Sequence, residues 1–324
     1  EIRTNLDGVN FENIKVTGKN SYVGVIGKST AEVKNIKFKD IIVTASYDNI
    51  GCIGRQEIGK VENIELENVA ITGRNYVGGL IGYSLSNVTN IQATNITIQG
   101  SGERIGGIVG SNSNPGTINN TEIQDSNITG TGNYVGGIVG YYENSNRITS
   151  TELKSKNNKI QSENNYVGGI VGGISTPYTS LFQHYEVFES KIKGKSYIGG
   201  ISGLQGGTIS YSFVENTKIE GISINGKNLG GILGAQNSEN VKFCYVKNCE
   251  IISKGENVGG IAGKESRSAN YVYVIDSKIE GKSKVGGIVG EKNVQYFVCN
   301  TYTNAEIKAI EKNAGGIIGY YTNA

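Results

Sequence analysis

Tyr76-Val77-Gly78-Gly79-Leu80-Ile81-Gly82 is the stretch that decides the fold, because the chain keeps returning to it. The phrase recurs at Arg104–Gly110, Tyr134–Gly140, Tyr166–Gly172, Tyr197–Gly203, Asn228–Gly234, Asn257–Gly263, Lys284–Gly290 and Asn313–Gly319. Two shortened copies, Tyr22–Gly27 and Asn49–Gly54, precede it. The eleven closing glycines follow one another at intervals of 27 to 32 residues. A fixed period of about 30 residues is the mark of a stacked repeat architecture.

A second phrase lies between the glycine motifs. Val61, Ile64, Leu66, Val69, Ile71 and Gly73 recur at the same offsets as Val88, Ile91, Ala93, Ile96, Ile98 and Gly100. Steps of two (64 to 66, 69 to 71) are strand periodicity. Steps of three between these pairs predict a bend, with one extra residue turning the chain. Each repeat is therefore read as three short β segments, like Ile64–Leu66, Val69–Ile71 and the Val-Gly-Gly-Leu segment. No spacing of i, i+3, i+4, i+7 is sustained, so no helix is expected. Pro115 and Pro177 each follow a glycine motif, where a turn is expected.

One such turn cannot bury its own apolar face. Stacked copies can, each strand pairing in parallel with its equivalents above and below. The expected architecture is an all-β parallel β-helix of about eleven coils forming a single domain over residues 1–324. The crossover preference predicts a right-handed coil. One ladder should run Phe11, Phe38, Leu66, Ala93, Ile123, Leu153, Val187, Val214, Val246, Val274, Cys299. A second should run from Val16 and Val43 through Ile71 and Ile98 to Ile279. The Leu80 position is Ile, Leu, Val or Cys in every copy and is assigned inward. The Ile81 position admits Ser202 and Ala262 and is expected to be less buried. Gly82 and its equivalents are expected to end the strand. Glycine pairs beside a strand serve either positive φ or close backbone approach. Intervals of 30 to 32 predict loops bulging from the rod, for example at 143–146 or 155–158.

Composition narrows the function classes. Of 324 residues, 48 are Gly and 2 are Pro, which excludes collagen, where both are abundant. The 31 basic and 29 acidic residues nearly cancel, so net charge makes no case for nucleic acid or a membrane surface. No run of about 18 apolar residues exists to span a bilayer as a helix. A chain of this size with no Met, beginning at Glu1, is expected to be a piece of a longer protein.

The Gly-Gly-[Ile/Leu]-[Val/Ile]-Gly phrase resembles the GLUG motif, and the resemblance extends from about residue 6 to residue 321. GLUG repeats occur in bacterial extracellular proteins, including M26-type IgA1-specific zinc metallopeptidases and surface adhesins. The resemblance implies an extracellular, secreted or cell-wall-attached module joined to the rest of a parent polypeptide, with a host protein or glycan as partner. The peptidase chemistry would require a His-Glu-x-x-His signature. That signature is absent here, where the one histidine is His184, expected to face outward.

Other chemistry was sought residue by residue, and no catalytic, cofactor or metal site is expected. Cys52, Cys244, Cys249 and Cys299 fall on apolar ladder positions and read as small buried hydrophobes. Cys244–Cys249 is the one pair near enough for a disulfide. The glycine motif lacks the Asp of calcium-binding β-rolls, and no helix follows it to hold a dinucleotide phosphate. A polysaccharide-degrading or polysaccharide-binding β-helix is the alternative. It would need carboxylates or basic groups converging across coils, whereas Asp7, Asp40, Asp48, Asp125 and Asp276 are scattered. Tyr76, Tyr134, Tyr166 and Tyr197 share one motif position with Tyr22. They are read as lateral packing along the ladder or as an aromatic contact strip for glycan or protein.

Overall fold

The computed structural model describes residues 1–322 other than 114, 144–145, 148, 177–178, 237–239, 266, 294–297 and 300, and only the backbone of 298 and 299. The turn expected at Pro177, part of the loop at 143–146 and the Cys299 side chain thus lie outside the described residues.

The chain is an all-β solenoid whose register climbs one rung per repeat. Two sheets run along it among the described residues, one of 26 strands and one of 11, and the strands pair in parallel. One coil shows the pattern. Val61–Gly73 runs as a single bent strand, Val77–Gly78 follows, and Ile81–Ser84 closes the turn. The bends have a definite cause. Asn63, Asn68 and Tyr76 have φ of 56°, 54° and 53°, and these left-handed corners recur coil by coil as far as Tyr271, Asp276 and Lys284, whereas the last coil keeps only Asn313 among the described residues. Non-glycine residues seldom adopt this region, but Asn does so more readily than most. The steps of three in the apolar pattern therefore mark residues that turn the strand while its flanks still face inward.

At two of the corners, short polar side chains hold each other between rungs. The Asn63 amide donates to Asn35 Oδ1 at 2.9 Å, Asn35 donates to Asp7 at 2.7 Å, and Asn90 donates to Asn63 at 2.9 Å. Asn68 donates to Asp40 at 2.8 Å, and Asn95 to Asn68 at 2.7 Å. One residue further along, the Val69 column turns polar in the middle coils. There Ser126 Oγ accepts from the Ile96 N–H at 2.9 Å, and Asn158 Oδ1 accepts from the Ser126 N–H at 2.8 Å. These oxygens satisfy backbone donors that the corner turns away from the ladder.

The Ile71 column is as expected, in register from Val16 to Ile279, and it continues to Ile307. The Leu66 column departs at two rungs. Ile123 pairs with Ser155, not Leu153, and Val274 pairs with Thr303, not Cys299. Leu153 instead faces Thr121 and Tyr185 in the neighbouring inward column. The positive-φ corners at Glu152 and Asn157 set this register, whatever the polarity of the residue between them. Residues 155–158 are accordingly an ordinary rung and no loop. The register offset rises from 28 to 30 between Asn112 and Ile118, and from 30 to 32 between Glu143 and Thr149. Extra residues enter where no rung must be matched. Around these longer coils the interior is filled by Tyr142, Phe182 and Tyr185, all fully buried. Tyr142 Oη accepts from the Ile118 N–H at 3.1 Å, and Tyr185 Oη donates to Ser150 Oγ at 2.8 Å.

The glycine motif works through close approach. None of its glycines has positive φ, which among glycines is confined to Gly8, Gly59 and Gly207. Instead the chain folds back at Leu80 and lies against its own backbone. A Cβ on Gly78 would collide with the carbonyl oxygen of Ile81, and one on Gly79 with that of Gly107 in the next coil. A Cβ on Gly82 would strike the Asn49–Ile50 peptide of the preceding coil. Leu80 and Ile81 flank the fold, and both are fully buried, as are Ile108, Val109, Ile138 and Val139. The Ile81 position is therefore no less buried than Leu80, because the bend between them breaks strand alternation. Gly82 lies inside Ile81–Ser84 and does not end it.

Two outcomes check this packing. Gly137→Ala, whose Cβ would overlap the Gly169 carbonyl, should cost about 3 kcal/mol or more, whereas Gly316→Ala, with open space around it, should stay within about 0.5 kcal/mol by chemical denaturation. Ile138→Asp should abolish the cooperative melt followed by circular dichroism, since it buries an unpaired charge.

Candidate functional site

The strip of shared tyrosines forms at the third corner of the coil. Tyr134, Tyr166 and Tyr197 stack directly, with centroids 4.8 Å apart at both steps and planes 9° and 29° apart. Tyr76 stands apart from this stack because Arg104 occupies the rung between it and Tyr134. The Arg104 guanidinium lies 5.2 Å over the Tyr76 ring and 4.5 Å over Tyr141. Tyr141 and Tyr83 belong to an adjoining column, one residue after the closing glycine. Tyr83 meets Tyr76 edge-on at 5.6 Å, and Tyr141 meets Tyr134 at 4.6 Å. Arg55 bridges Tyr83 at 5.0 Å and Tyr22 at 5.8 Å. The sequence reading found the tyrosines but not their arginines. The position after the closing glycine was the available signal.

The geometry favours lateral packing. Both faces of Tyr166 are covered by its neighbours, so the strip turns ring edges, not ring faces, toward solvent. Burial and the adjacent phenols push the Tyr134 hydroxyl up to about 12. Arg–aromatic contacts of this kind contribute about 0.5–1 kcal/mol each when exposed.

A second aromatic column lies at the first corner of later coils. His184, outward-facing as expected, stacks on Tyr211 at 5.6 Å, Tyr211 on Phe243 at 5.0 Å, and Phe243 on Tyr271 at 4.9 Å. Phe213 and Tyr245 stack beside it at 4.9 Å, and Tyr245 Oη donates to Glu215 at 2.7 Å. In early coils the first-corner column is instead the Asn35–Asn63–Asn90 amide ladder, and the column of Phe213 and Tyr245 carries ion pairs, where Lys37 meets Glu65 at 2.6 Å and Glu67 at 2.7 Å.

Catalytic and metal chemistry was examined at the level of side chains. Cys52, Cys244 and Cys249 are free and buried, so the Cys244–Cys249 bridge left open by the sequence is not formed. Burial pushes the Cys244 and Cys249 thiols up to about 12, and each donates instead to a carbonyl two residues back, Lys242 and Lys247, at 3.2 Å. Glu265 and Lys292 form a fully buried ion pair at 3.2 Å in a polar column that begins with Gln56. Burial pushes the Glu265 carboxyl up to about 7 against the pull of Lys292. Among the described residues no group of three or more His, Cys, Asp and Glu side chains could hold a metal ion. Many surface carboxylates are each taken by a lysine of a neighbouring rung, as in Lys154–Glu186 at 3.2 Å and Lys218–Glu250 at 3.1 Å.

The family model described as the GLUG motif matches residues 73–99, one repeat of the eleven. No curated protein and no solved structure matches the chain. The matched repeat shares its register with the coils on either side, so the solenoid is a GLUG-motif repeat domain.

The tyrosine strip should show itself in alkali. A phenol held neutral in the fold but ionising near pH 10 when unfolded supports folding below about pH 10 and loses that contribution as pH rises toward about 12. The melting temperature should fall across that window, and Tyr134→Phe should flatten part of the fall. Tyr166→Ala should destabilise the rod by about 2–4 kcal/mol, read by denaturant titration.

Proposed function

We propose that this GLUG-motif repeat rod is a non-catalytic spacer and contact module of a bacterial surface or secreted protein. The observation that carries the reading is the parallel pairing of coil on coil from Phe11 to Ile318, with register shifts in the last coil at Ile275/Ser277 and Gly281/Ser283. Hydrogen bonds between rungs lie along the axis, so the coil resists extension and bending in the way a rigid arm requires. Eleven rungs of about 4.8 Å make a rod of about 50 Å. The carboxylates support the same reading. They are spread along the rungs, and many are engaged by lysines of a neighbouring rung. Polysaccharide cleavage would require two carboxyl groups flanking one bond.

On this reading the module works outside the cell, joined to the rest of a parent polypeptide of the adhesin or IgA1-type peptidase kind. The peptidase chemistry would reside outside this sequence. Host protein or glycan is the partner class, and the outer columns of the rod are where contact would occur.

Rigidity and catalytic silence can both be measured. Spin labels at Lys39→Cys and Lys247→Cys, in a background without the native cysteines, should give a narrow distance distribution. They stand seven rungs apart in one column, a span of about 34 Å. A broad distribution would sink the spacer reading. Incubation with pectin-like or glycosaminoglycan polymers should release no reducing ends.

A further inference from the structure

Opposite charges face each other along most of this rod. Lys37 pairs in register with Glu65, Lys154 with Glu186, Lys193 with Glu220, Glu250 with Lys278, and Glu280 with Lys308. One column departs from this habit. Lys159, Lys191 and Lys218 occupy the same position on three consecutive rungs. Like charges placed directly opposite one another are destabilising. Of the three, Lys218 is relieved by Glu250 at 3.1 Å. No carboxylate lies within ion-pair reach of Lys159 or Lys191 among the described residues. The other like-charged rung pair, Lys28–Arg55, is neutralised by Glu57, at 2.9 Å from each. Beside the lysine column, Lys193 reaches Glu220 only at 4.0 Å. The column borders a hollow of about 230 Å³, which Gln161, Lys193 and the single carboxylate Glu220 also line, so that four lysines there outnumber one acid.

We propose that this column binds an acidic polysaccharide, laid along the rod axis with its carboxylate or sulfate groups on Lys159, Lys191 and Lys218. Three observations favour that occupant. The cations repeat at the rung spacing of about 4.8 Å, close to the advance of one pyranose residue along an extended chain. Phosphates on one strand of a DNA duplex advance about 3.4 Å along its axis while winding around it, so they do not follow a straight column of cations. Single-stranded nucleic acid is held largely by bases stacking on aromatic rings, and no aromatic ring lines this hollow. A polyanion would also supply the countercharge that these rungs lack. The inference rests on the non-catalytic reading in one respect, that the polymer is held and not cut.

The test uses the full chain with heparin, polygalacturonate and neutral dextran as probes, titrated by calorimetry at low and high salt. Heparin or polygalacturonate should bind, more weakly as salt rises, and dextran should not. Binding to heparin alone assigns sulfate and binding to polygalacturonate alone assigns carboxylate, and either supports the proposal. Lys159→Gln with Lys191→Gln should weaken binding at least tenfold. Lys15→Gln with Lys19→Gln, an equal loss of charge elsewhere, should leave it unchanged. Lys191→Glu should abolish binding and raise the melting temperature, because it restores alternation with both neighbours. The proposal is overturned if neither polymer binds, if the paired glutamine variant binds like the wild type, or if Lys191→Glu melts lower. Equal affinity for a single-stranded oligonucleotide would overturn it too. Release of reducing ends from bound polygalacturonate would instead sink the non-catalytic reading and leave the site standing.

Discussion

Backbone lying directly on backbone holds every coil closed. Where the chain reverses at Leu80, Gly78 and Gly79 face the carbonyls of Ile81 and Gly107, and Gly82 faces the Asn49–Ile50 peptide of the coil before. No side chain separates these segments. That contact requires three hydrogen atoms in place of three Cβ atoms, which explains why the glycines recur more faithfully than the tyrosine ahead of them. The close approach brings Leu80 and Ile81 into the interior together, although they are adjacent in sequence. It also fixes the angle at which Tyr76 and its equivalents leave the coil, since Gly110 lies against the Tyr76 backbone and Gly172 against that of Tyr134.

Between these closures the rod is specified rung by rung. Aliphatic columns fill the inside, amide and hydroxyl columns bridge the corners, and charges of alternating sign line much of the outside. Each device acts on residues about 29 apart in sequence and one rung apart in space. A solenoid of this kind is thus held by nearest-neighbour terms, repeated, rather than by contacts that cross the whole molecule. The buried Glu265–Lys292 pair is the same device turned inward, where Gln56 and Gln236 serve in other coils.

The architecture was legible because its period is carried by residues that tolerate little substitution. The Ile71 column could be followed through ten rungs, as every one keeps Val or Ile at the same offset. The Leu66 column was misread where hydrophobicity stood in for register. Leu153 is the more apolar residue, but the corners at Glu152 and Asn157 place Ser155 in that rung. The Ile81 position was misjudged for the related reason that two-residue alternation fails at a fold-back. At the candidate site the stacking of Tyr134, Tyr166 and Tyr197 followed from their shared motif position. The roles of Arg55 and Arg104 did not, because the residue that interrupts each aromatic column, Arg104 in the tyrosine column and Arg55 in the adjoining one, differs from coil to coil. Nor was the lysine column visible, since Lys159, Lys191 and Lys218 become neighbours only once the coils are set in register.

Extra residues enter at turns between rungs, at 112–118 and 143–149 and again between Gly221 and Lys227, where the offset rises from 27 to 31, and this has a broader consequence. Insertions between Asn112 and Ile118 and between Glu143 and Thr149 leave the rungs on both sides in step. The rod therefore has turns along its length that accept insertions without disturbing the scaffold. A designer can graft peptides there at a spacing set by the rungs, using the solenoid as a ruler for multivalent display.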